Sequence, residues 1–182
     1  MRRGLLLLLG ILLSASLVHG QAGFIGLFTD FGFTDCSLVD TPGQVEVYVI
    51  HKATPGATAS QFRIAVDAGV TCTPINVIHN FPTTLGDPAT GISISYGFCY
   101  PSDILLFTWV FSCSGTSAPC SKLEVVPDPA VATGTIEVFD CNQFRLVGGG
   151  GLMYVNPDGS CDCGEVVPVE DTSWGQIKAL YQ

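Results

Sequence analysis

The sequence predicts an all-β fold, an antiparallel β-sandwich, and three observations lead to it. Apolar and polar residues alternate with a period of two in several short segments, as where Ile92, Ile94 and Tyr96 alternate with Ser93 and Ser95. Clusters of Gly, Pro, Asn and Asp separate these segments, as turns do. Residues 23–167 contain no amphipathic segment of helical period that is long enough to cross between parallel strands.

The predicted strands cover residues 45–50, 62–67, 92–98, 104–111, 123–126, 135–140, 144–147 and 152–156, and about eight to ten are expected in all. Segment 104–111 is apolar on both faces, which predicts a buried central strand covered outside by a loop or a partner. The aromatic residues of this segment are Phe107, Trp109 and Phe111, and Tyr100 lies nearby. Core packing is favoured over a carbohydrate platform for these four residues. Residues 148–151 are all glycine and are interpreted as a flexible hairpin turn.

Residues 1–20 have the pattern of a secretory signal peptide. Arg2 and Arg3 precede an apolar stretch of about 14 residues, too short for a ~30 Å hydrocarbon core, and small residues follow it. We therefore expect a protein that is secreted or held at the cell surface, with the periplasm as a transit compartment, and no transmembrane segment after cleavage. The remaining chain divides into a sandwich domain at 21–167 and a tail at 168–182.

The charge balance excludes a nucleic-acid partner. The chain has 16 acidic and 7 basic residues and a formal charge of -9. Loss of Arg2 and Arg3 with the signal peptide would deepen this charge to -11. No cluster of basic residues follows residue 3 that could contact a phosphate backbone.

The eight cysteines all follow the predicted signal peptide, and an even number in an oxidising compartment indicates up to four disulfides. Cys113 and Cys120 flank a polar loop, so a bridge between them is the preferred pair. Cys72 with Cys99 is a second expectation. The remaining disulfides are expected among the other four cysteines, Cys36, Cys141, Cys161 and Cys163.

The tail predicts a short amphipathic helix. Acidic and hydroxyl residues at 170–173 form a capping signal, and four apolar residues follow at helical spacing, namely Trp174, Ile177, Leu180 and Tyr181. So short a helix is marginal in isolation. We expect this docking face to pack either on its own domain or on a partner.

Candidate sites for chemistry are few. Four alternating oxygen-bearing residues are the candidate ligands of a calcium site, namely Asn156, Asp158, Ser160 and Asp162. They do not fit the EF-hand spacing, and a β-turn is the favoured interpretation. No metal or other cofactor is otherwise expected. His51 and His79 lack a recognisable nucleophile beside them and are interpreted as surface or edge histidines. The glutamates considered for glycoside hydrolysis are Glu46, Glu124, Glu137 and Glu165. Glu46 and Glu137 are expected to face solvent, and nothing fixes the separation of any pair.

Two resemblances extend these predictions. The segments VEVYV, ATASQFRIAVD, GISISYG, ILLFTWVF and GTIEVFD resemble the strand series of cohesin-like sandwiches. That likeness implies an immunoglobulin-like or cohesin-like jelly roll and a noncatalytic module that binds partner proteins outside the cell. The turns TPGATA, VVPDP and VNPDGSC and the ending TSWGQIKALY are similar to those of small, uncharacterised, cysteine-containing secreted bacterial proteins.

The sequence therefore predicts a noncatalytic extracellular module for protein or glycan binding, adhesion or surface structure, with an extracellular protein or glycan as partner. The alternative is a secreted hydrolase that acts on polysaccharide. No catalytic residue is assigned.

Overall fold

The computed structural model describes residues 22–52 and 56–161, and every regular element in this part of the chain is a β-strand. The strands are β1 (Phe24–Phe28), β2 (Ser37–Leu38), β3 (Gly43–Lys52), β4 (Ala57–Val66), β5 (Thr73–His79), β6 (Thr83–Asp87), β7 (Gly91–Tyr100), β8 (Ile104–Cys113), β9 (Ser121–Val126), β10 (Ile136–Asp140), β11 (Arg145–Gly150) and β12 (Leu152–Val155). All eight predicted strands are present. The predicted signal peptide and the C-terminal helix lie outside the described residues.

The strands form two packed layers. The first layer has the hydrogen-bonded order β5-β8-β3-β1. The second layer has the order β6-β7-β4, and the other edge of β4 pairs with β10 along its first half and with β9 along its second half. β11 connects the layers, because it pairs with both β10 and β1, while β12 pairs with β9 and with the short β2. The antiparallel sandwich is confirmed, although the β1–β11 and β12–β2 pairs are parallel.

The core lies between the layers and is built by the alternation that the sequence shows. Phe107, Trp109 and Phe111 of β8 are at most 2% exposed. Phe62 of β4 stacks on Phe107 at 6.3 Å between ring centroids, although β4 and β8 share no hydrogen bonds. Each such side chain stabilises the fold by about 2–3 kcal/mol through removal from water. The core interpretation of Trp109 is therefore confirmed.

The glycine run near the C-terminal end of the described chain is not a hairpin turn, which corrects the prediction. Gly148, Gly149 and Gly150 belong to β11, and β11 and β12 do not pair with each other. A side chain at Gly150 would collide with the carbonyl oxygen of Val125, and one at Gly151 would lie 2.9 Å from the Cα of Gly26. The glycines are needed because neighbouring backbones approach closely there.

The disulfide pairing also differs from both predicted pairs. The structure joins Cys72 to Cys113, Cys99 to Cys141 and Cys120 to Cys161, and Cys36 is disulfide-bonded as well. Cys72 and Cys113 are cross-strand neighbours with a Cα separation of 4.2 Å, because β5 lies against β8. Cys113 thus bonds across the sheet and not across the loop to Cys120.

Asp40 fastens the loop after β8 to the sandwich. Its carboxylate accepts hydrogen bonds from the backbone N–H groups of Gly115, at 2.8 Å, and Ser117, at 2.7 Å. Its own N–H donates to Asn156 Oδ1, and Asn156 Nδ2 donates to the carbonyl of Ser117. Burial alone would raise the pKa of Asp40, but the hydrogen bonds from Ser117 and Gly115 outweigh it and lower the pKa.

We expect Asp40→Ala to lower the free energy of unfolding by about 2 kcal/mol, because two backbone donors would lose their acceptor in a partly buried loop. Urea denaturation at neutral pH measures the change. Asp67→Ala is the matched control, since Asp67 caps Gly69 in an exposed turn. An equal loss in both variants would contradict the role assigned to Asp40.

Candidate functional site

The outer surface of the second layer forms a flat face across β6, β7, β4, β10 and β11. Antiparallel register aligns its side chains in two rows, since directly opposed residues point to the same side of a sheet. The first row is Leu85, Ser93, Gln61, Glu137 and Val147, and the second is Thr83, Ser95, Ala59, Phe139 and Arg145. We call these ten residues the groove face.

The middle of the groove face is low because its side chains are small. Ser93, Ser95 and Ala59 form the floor, and Leu85 (72% exposed) and Val147 (57% exposed) stand at opposite ends of the first row. An open groove of about 470 Å³ continues from Ser95 and Phe139 toward Gly97, Phe98 and Gln143. The face therefore combines a floor of small side chains with large exposed apolar side chains at its rim.

Aromatic rings form one corner of this groove. The ring of Phe98 is 64% exposed and stacks on Tyr100 at 4.5 Å between centroids. Tyr100 also meets Phe81 edge to face at 5.7 Å. Gly97 precedes Phe98 with a φ of 81°, a conformation that glycine adopts without strain. Phe98 is thus held outward at the groove by the rings behind it.

The exposed disulfide between Cys99 and Cys141 lies beside the same corner. It joins the end of β7 to the residue after β10, the two strands on either side of β4. Gly56 lies directly under it, and a side chain there would meet Cys141 Sγ at 2.7 Å. The bond fixes the spacing of three strands of the groove face, and such rigidity reduces the entropy lost on binding.

Polar partners order the other end of the face. Glu137 Oε1 accepts hydrogen bonds from Arg145 Nη1 at 2.9 Å and Thr133 Oγ1 at 3.2 Å. Gln61 Nε2 donates to Asp128 Oδ2 at 2.8 Å. Glu137 is 6% exposed, so its expected solvent-facing position is wrong: Arg145 and the loop before β10 cover it.

The described carboxylates that were considered for hydrolysis lie on different strands, and each is hydrogen-bonded to another side chain. Glu46 Oε2 accepts from the Tyr48 hydroxyl on β3, and Glu124 pairs with Lys122 on β9. Glu137 is bonded to Arg145, as described above. Each of these three carboxylates is thus engaged by its own local partner, while Glu165 lies outside the described residues.

His51 is fully buried, so its assignment as a surface or edge residue is wrong. Its Nε2–H donates to the Ala22 carbonyl at 2.6 Å, which leaves Nδ1 to accept from the Tyr96 hydroxyl at 3.2 Å. The signal was in the sequence: His51 continues the inward alternation of Val47 and Val49. His79 is exposed, as expected.

The calcium candidate stays a prediction. Asn156 turns its amide toward Asp40 and Ser117, while Asp158 Oδ1 accepts from the backbone N–H and hydroxyl of Ser160. Asp162 lies outside the described residues, as do Cys163 and the four residues of the predicted docking face. The described chain contains no helix with the length and hydropathy needed to cross a bilayer.

No protein-family model and no curated protein matches the sequence. Solved structures do match the fold. The cohesin module of a family 33 glycoside hydrolase from Clostridium perfringens has a TM-score of 0.51 at 9% identity, covering 76% of this chain and 99% of that one.

Two further cohesins are similar. The sixth cohesin of scaffoldin B from Acetivibrio cellulolyticus, solved in complex with a Cel5 dockerin, has a TM-score of 0.46 at 19% identity over 74% of this chain and 98% of that one. A non-cellulosomal cohesin from the archaeon Archaeoglobus fulgidus has a TM-score of 0.45 at 12% identity over 72% and 89%. The cohesin-like resemblance of the sequence is thus confirmed for the fold, while the likeness to small secreted bacterial proteins stays a prediction.

Proposed function

We propose that this chain is a secreted, noncatalytic module that binds a partner protein through the groove face. The observation that carries the proposal is the exposure of Leu85, Val147 and Phe98 around a floor of small side chains. Exposed apolar residues grouped on one rigid surface are typical of protein interaction sites. The cohesin-like fold supports a binding module, since its sheet supplies the rigid surface on which these side chains lie.

The exposed disulfide and the predicted signal peptide support an extracellular site of action, because disulfides persist in oxidising compartments. The partner is expected to present apolar side chains that fit between Leu85 and Val147. Such anchors contribute most of the binding energy at an interface, while the surrounding polar contacts set orientation.

To test the proposal, a photo-crosslinking amino acid at position 85 would capture the partner in the extracellular medium of the producing cells. We expect Ser95→Arg to weaken binding of the purified partner about tenfold or more, which is about 1.4 kcal/mol, because a long charged side chain would fill the floor. Isothermal titration calorimetry measures the dissociation constant.

The matched control is Thr73→Arg, an exposed position on β5 in the other layer. It should leave both the dissociation constant and the thermal midpoint unchanged. If Thr73→Arg weakened binding as much as Ser95→Arg, or if Ser95→Arg had no effect, the partner would bind elsewhere and the proposal would fail.

A glycan ligand is the second candidate, and the Phe98 corner favours it. An exposed ring stacked on Tyr100, next to the polar side chains of Thr58 and Gln143, offers one apolar platform and hydrogen-bonding groups for a sugar. Phe98→Ala would abolish glycan retention on affinity electrophoresis if sugars bind there. Retention that is unchanged by this substitution, or absent from the wild type, would exclude this candidate.

A further inference from the structure

A second apolar surface lies on the outer side of the first layer, on the far side of the sandwich from the groove face. Opposed residues of β5, β8, β3 and β1 point to this side together, as their antiparallel register requires. Six of these residues form the surface, and we call them the opposite face: Phe28, Tyr48, Ile50, Ile78, Thr108 and Val110.

The opposite face keeps exposed apolar side chains at both edges. Residues 29–36, which connect β1 to β2, fold over its β1 side, where the ring of Phe31 lies 4.4 Å from that of Tyr48 between centroids. Phe31 is nevertheless 72% exposed, and Ile78 on the β5 side is 48% exposed. Tyr48 and Ile78 are two strands apart, or ~10 Å, which is about the width of one α-helix with its side chains. The strip between the two edges therefore suits a single amphipathic helix.

The disulfide of Cys36 argues for the C-terminal residues as the occupant of this strip. Cys36 is disulfide-bonded, and it packs against the buried cluster of Phe28, Tyr48 and Ile50 on the opposite face. Three disulfides pair six of the other cysteines with each other. Of the eight cysteines in the chain, this leaves Cys163 as the partner of Cys36.

Local contacts agree with this pairing. The N–H of Asn156 donates to a carbonyl of β2, the strand that begins directly after Cys36, and the carbonyl of Asn156 accepts from the N–H of Cys120. Cys120 is bonded to Cys161. Cys161 therefore lies in the same part of the sandwich as Cys36, and only one residue separates it from Cys163.

The residues after Cys163 have the length and the composition to cover the opposite face. Residues 164–174 span up to ~36 Å when extended, whereas the four strands from β1 to β5 are only ~14 Å across. A tether of this length gives an effective concentration in the millimolar range (~1 mM). A short amphipathic helix is marginal alone and needs an apolar surface to pack on. The apolar residues at helical spacing are Trp174, Ile177, Leu180 and Tyr181.

We propose that Cys163 is bonded to Cys36 and that residues 168–182 pack on the opposite face as a short helix, with their apolar side chains between Phe31 and Ile78. The bond fastens the tail to the outer side of the first layer. The groove face stays open in this arrangement, because it lies on the other side of the sandwich. The inference therefore goes beyond the proposed function and does not depend on it.

Mass mapping of non-reduced peptides tests the bond. We expect a linked pair of peptides that contains Cys36 and Cys163. A free thiol at Cys163, or a bond from Cys36 to any other cysteine, would overturn the inference.

Acrylamide quenching of tryptophan fluorescence in the full mature chain tests the packing. Trp109 is 2% exposed and is shielded from the quencher, so the quenchable signal reports Trp174. We expect strong protection of Trp174 in the wild type. Phe31→Asp, and separately Ile78→Asp, should remove this protection and raise the quenching constant to that of a free peptide of residues 164–182.

Leu85→Asp is the matched control, since Leu85 is 72% exposed, as Phe31 is, but lies on the groove face. It should leave Trp174 protected. Equal effects of Leu85→Asp and Phe31→Asp would contradict packing on the opposite face, and so would a wild type in which Trp174 is quenched as readily as in the free peptide.

The protection should stay constant over a roughly hundredfold dilution, because packing within one chain does not depend on concentration. Loss of protection on dilution would show that the tail packs on a second copy, and the inference would fall. These measurements require no partner protein. The effect of Ser95→Arg on partner binding is measured separately, so the proposed function and the tail packing can each fail while the other stands.

Discussion

Replacing Cys72 and Cys113 together by alanine is expected to lower the free energy of unfolding by about 5 kcal/mol. About 4 kcal/mol of this is the chain-entropy value for a bond that closes a loop of this length, and about 1 kcal/mol is the cost of lost packing. The two cysteines are 41 residues apart in sequence, and both are buried, at 5% and 6% exposed. Alanine in their place also leaves less apolar volume between β5 and β8. Urea denaturation of the oxidised protein measures the loss.

The Cys99→Ala, Cys141→Ala double variant provides the matched control. Its bond closes a loop of nearly equal length, with a sequence separation of 42, but both cysteines are exposed. We expect the same entropic loss without the additional cost of underpacking, a difference of about 1 kcal/mol between the two variants. A larger loss for the exposed pair would show that burial of the Cys72–Cys113 bond does not contribute as described.

Stability should fall as the pH is lowered from about 7 to 5, with a limiting slope of about 1.4 kcal/mol per pH unit, because of His51. Burial lowers the pKa of His51 below its ordinary value of 6.5, and the hydrogen bond to Ala22 and the charge of Asp103 oppose this shift only in part. The unfolded chain therefore binds a proton at a pH where the folded chain does not. The contribution of His51 to stability is therefore complete above pH 6.5 and is lost as the pH falls below 6.5.

His51→Gln tests this dependence, since glutamine does not titrate in this range. The variant should show a flat profile between pH 7 and 5 and a lower stability at pH 7, by about 1–3 kcal/mol, because the bonds to Ala22 and Tyr96 are disturbed. Burial raises the pKa of the Tyr96 hydroxyl, so this group stays protonated throughout and does not add to the slope.

His79→Gln is the control, as His79 is the other histidine among the described residues and is exposed. It should leave the slope unchanged. The carboxylate of Asp40, with its lowered pKa, contributes stability that is lost only as the pH falls below its ordinary value of 3.8, outside the tested range. A slope that survives His51→Gln would exclude His51 as its source.

Local alternation in the sequence predicted which side of each strand faces the core. Ser93 and Ser95 face outward and Ile92 and Ile94 inward, as their spacing indicates, since side chains alternate along any strand. The same rule places His51 inside, contrary to its interpretation as a surface or edge residue. A buried histidine is tolerated where both ring nitrogens are hydrogen-bonded.

Local alternation does not predict which cysteines form disulfides with each other. Cys113 and Cys120 are close in sequence, but Cys113 ends β8 facing Cys72, which directly precedes the neighbouring β5, while Cys120 bonds to Cys161. Disulfide geometry depends on which strands become neighbours, and this is set by contacts far apart in the chain.

The sequence by itself determined the all-β class, the inward and outward faces of the strands and the presence of stabilising cysteines, because each of these depends on local spacing or composition. Only the tertiary structure decided that β6, β7, β4, β10 and β11 are adjacent, and so that Leu85, Ser95 and Val147 share one surface. Strand order and register arise from pairing between distant segments, and alternation alone does not encode them. The groove face is a product of that pairing.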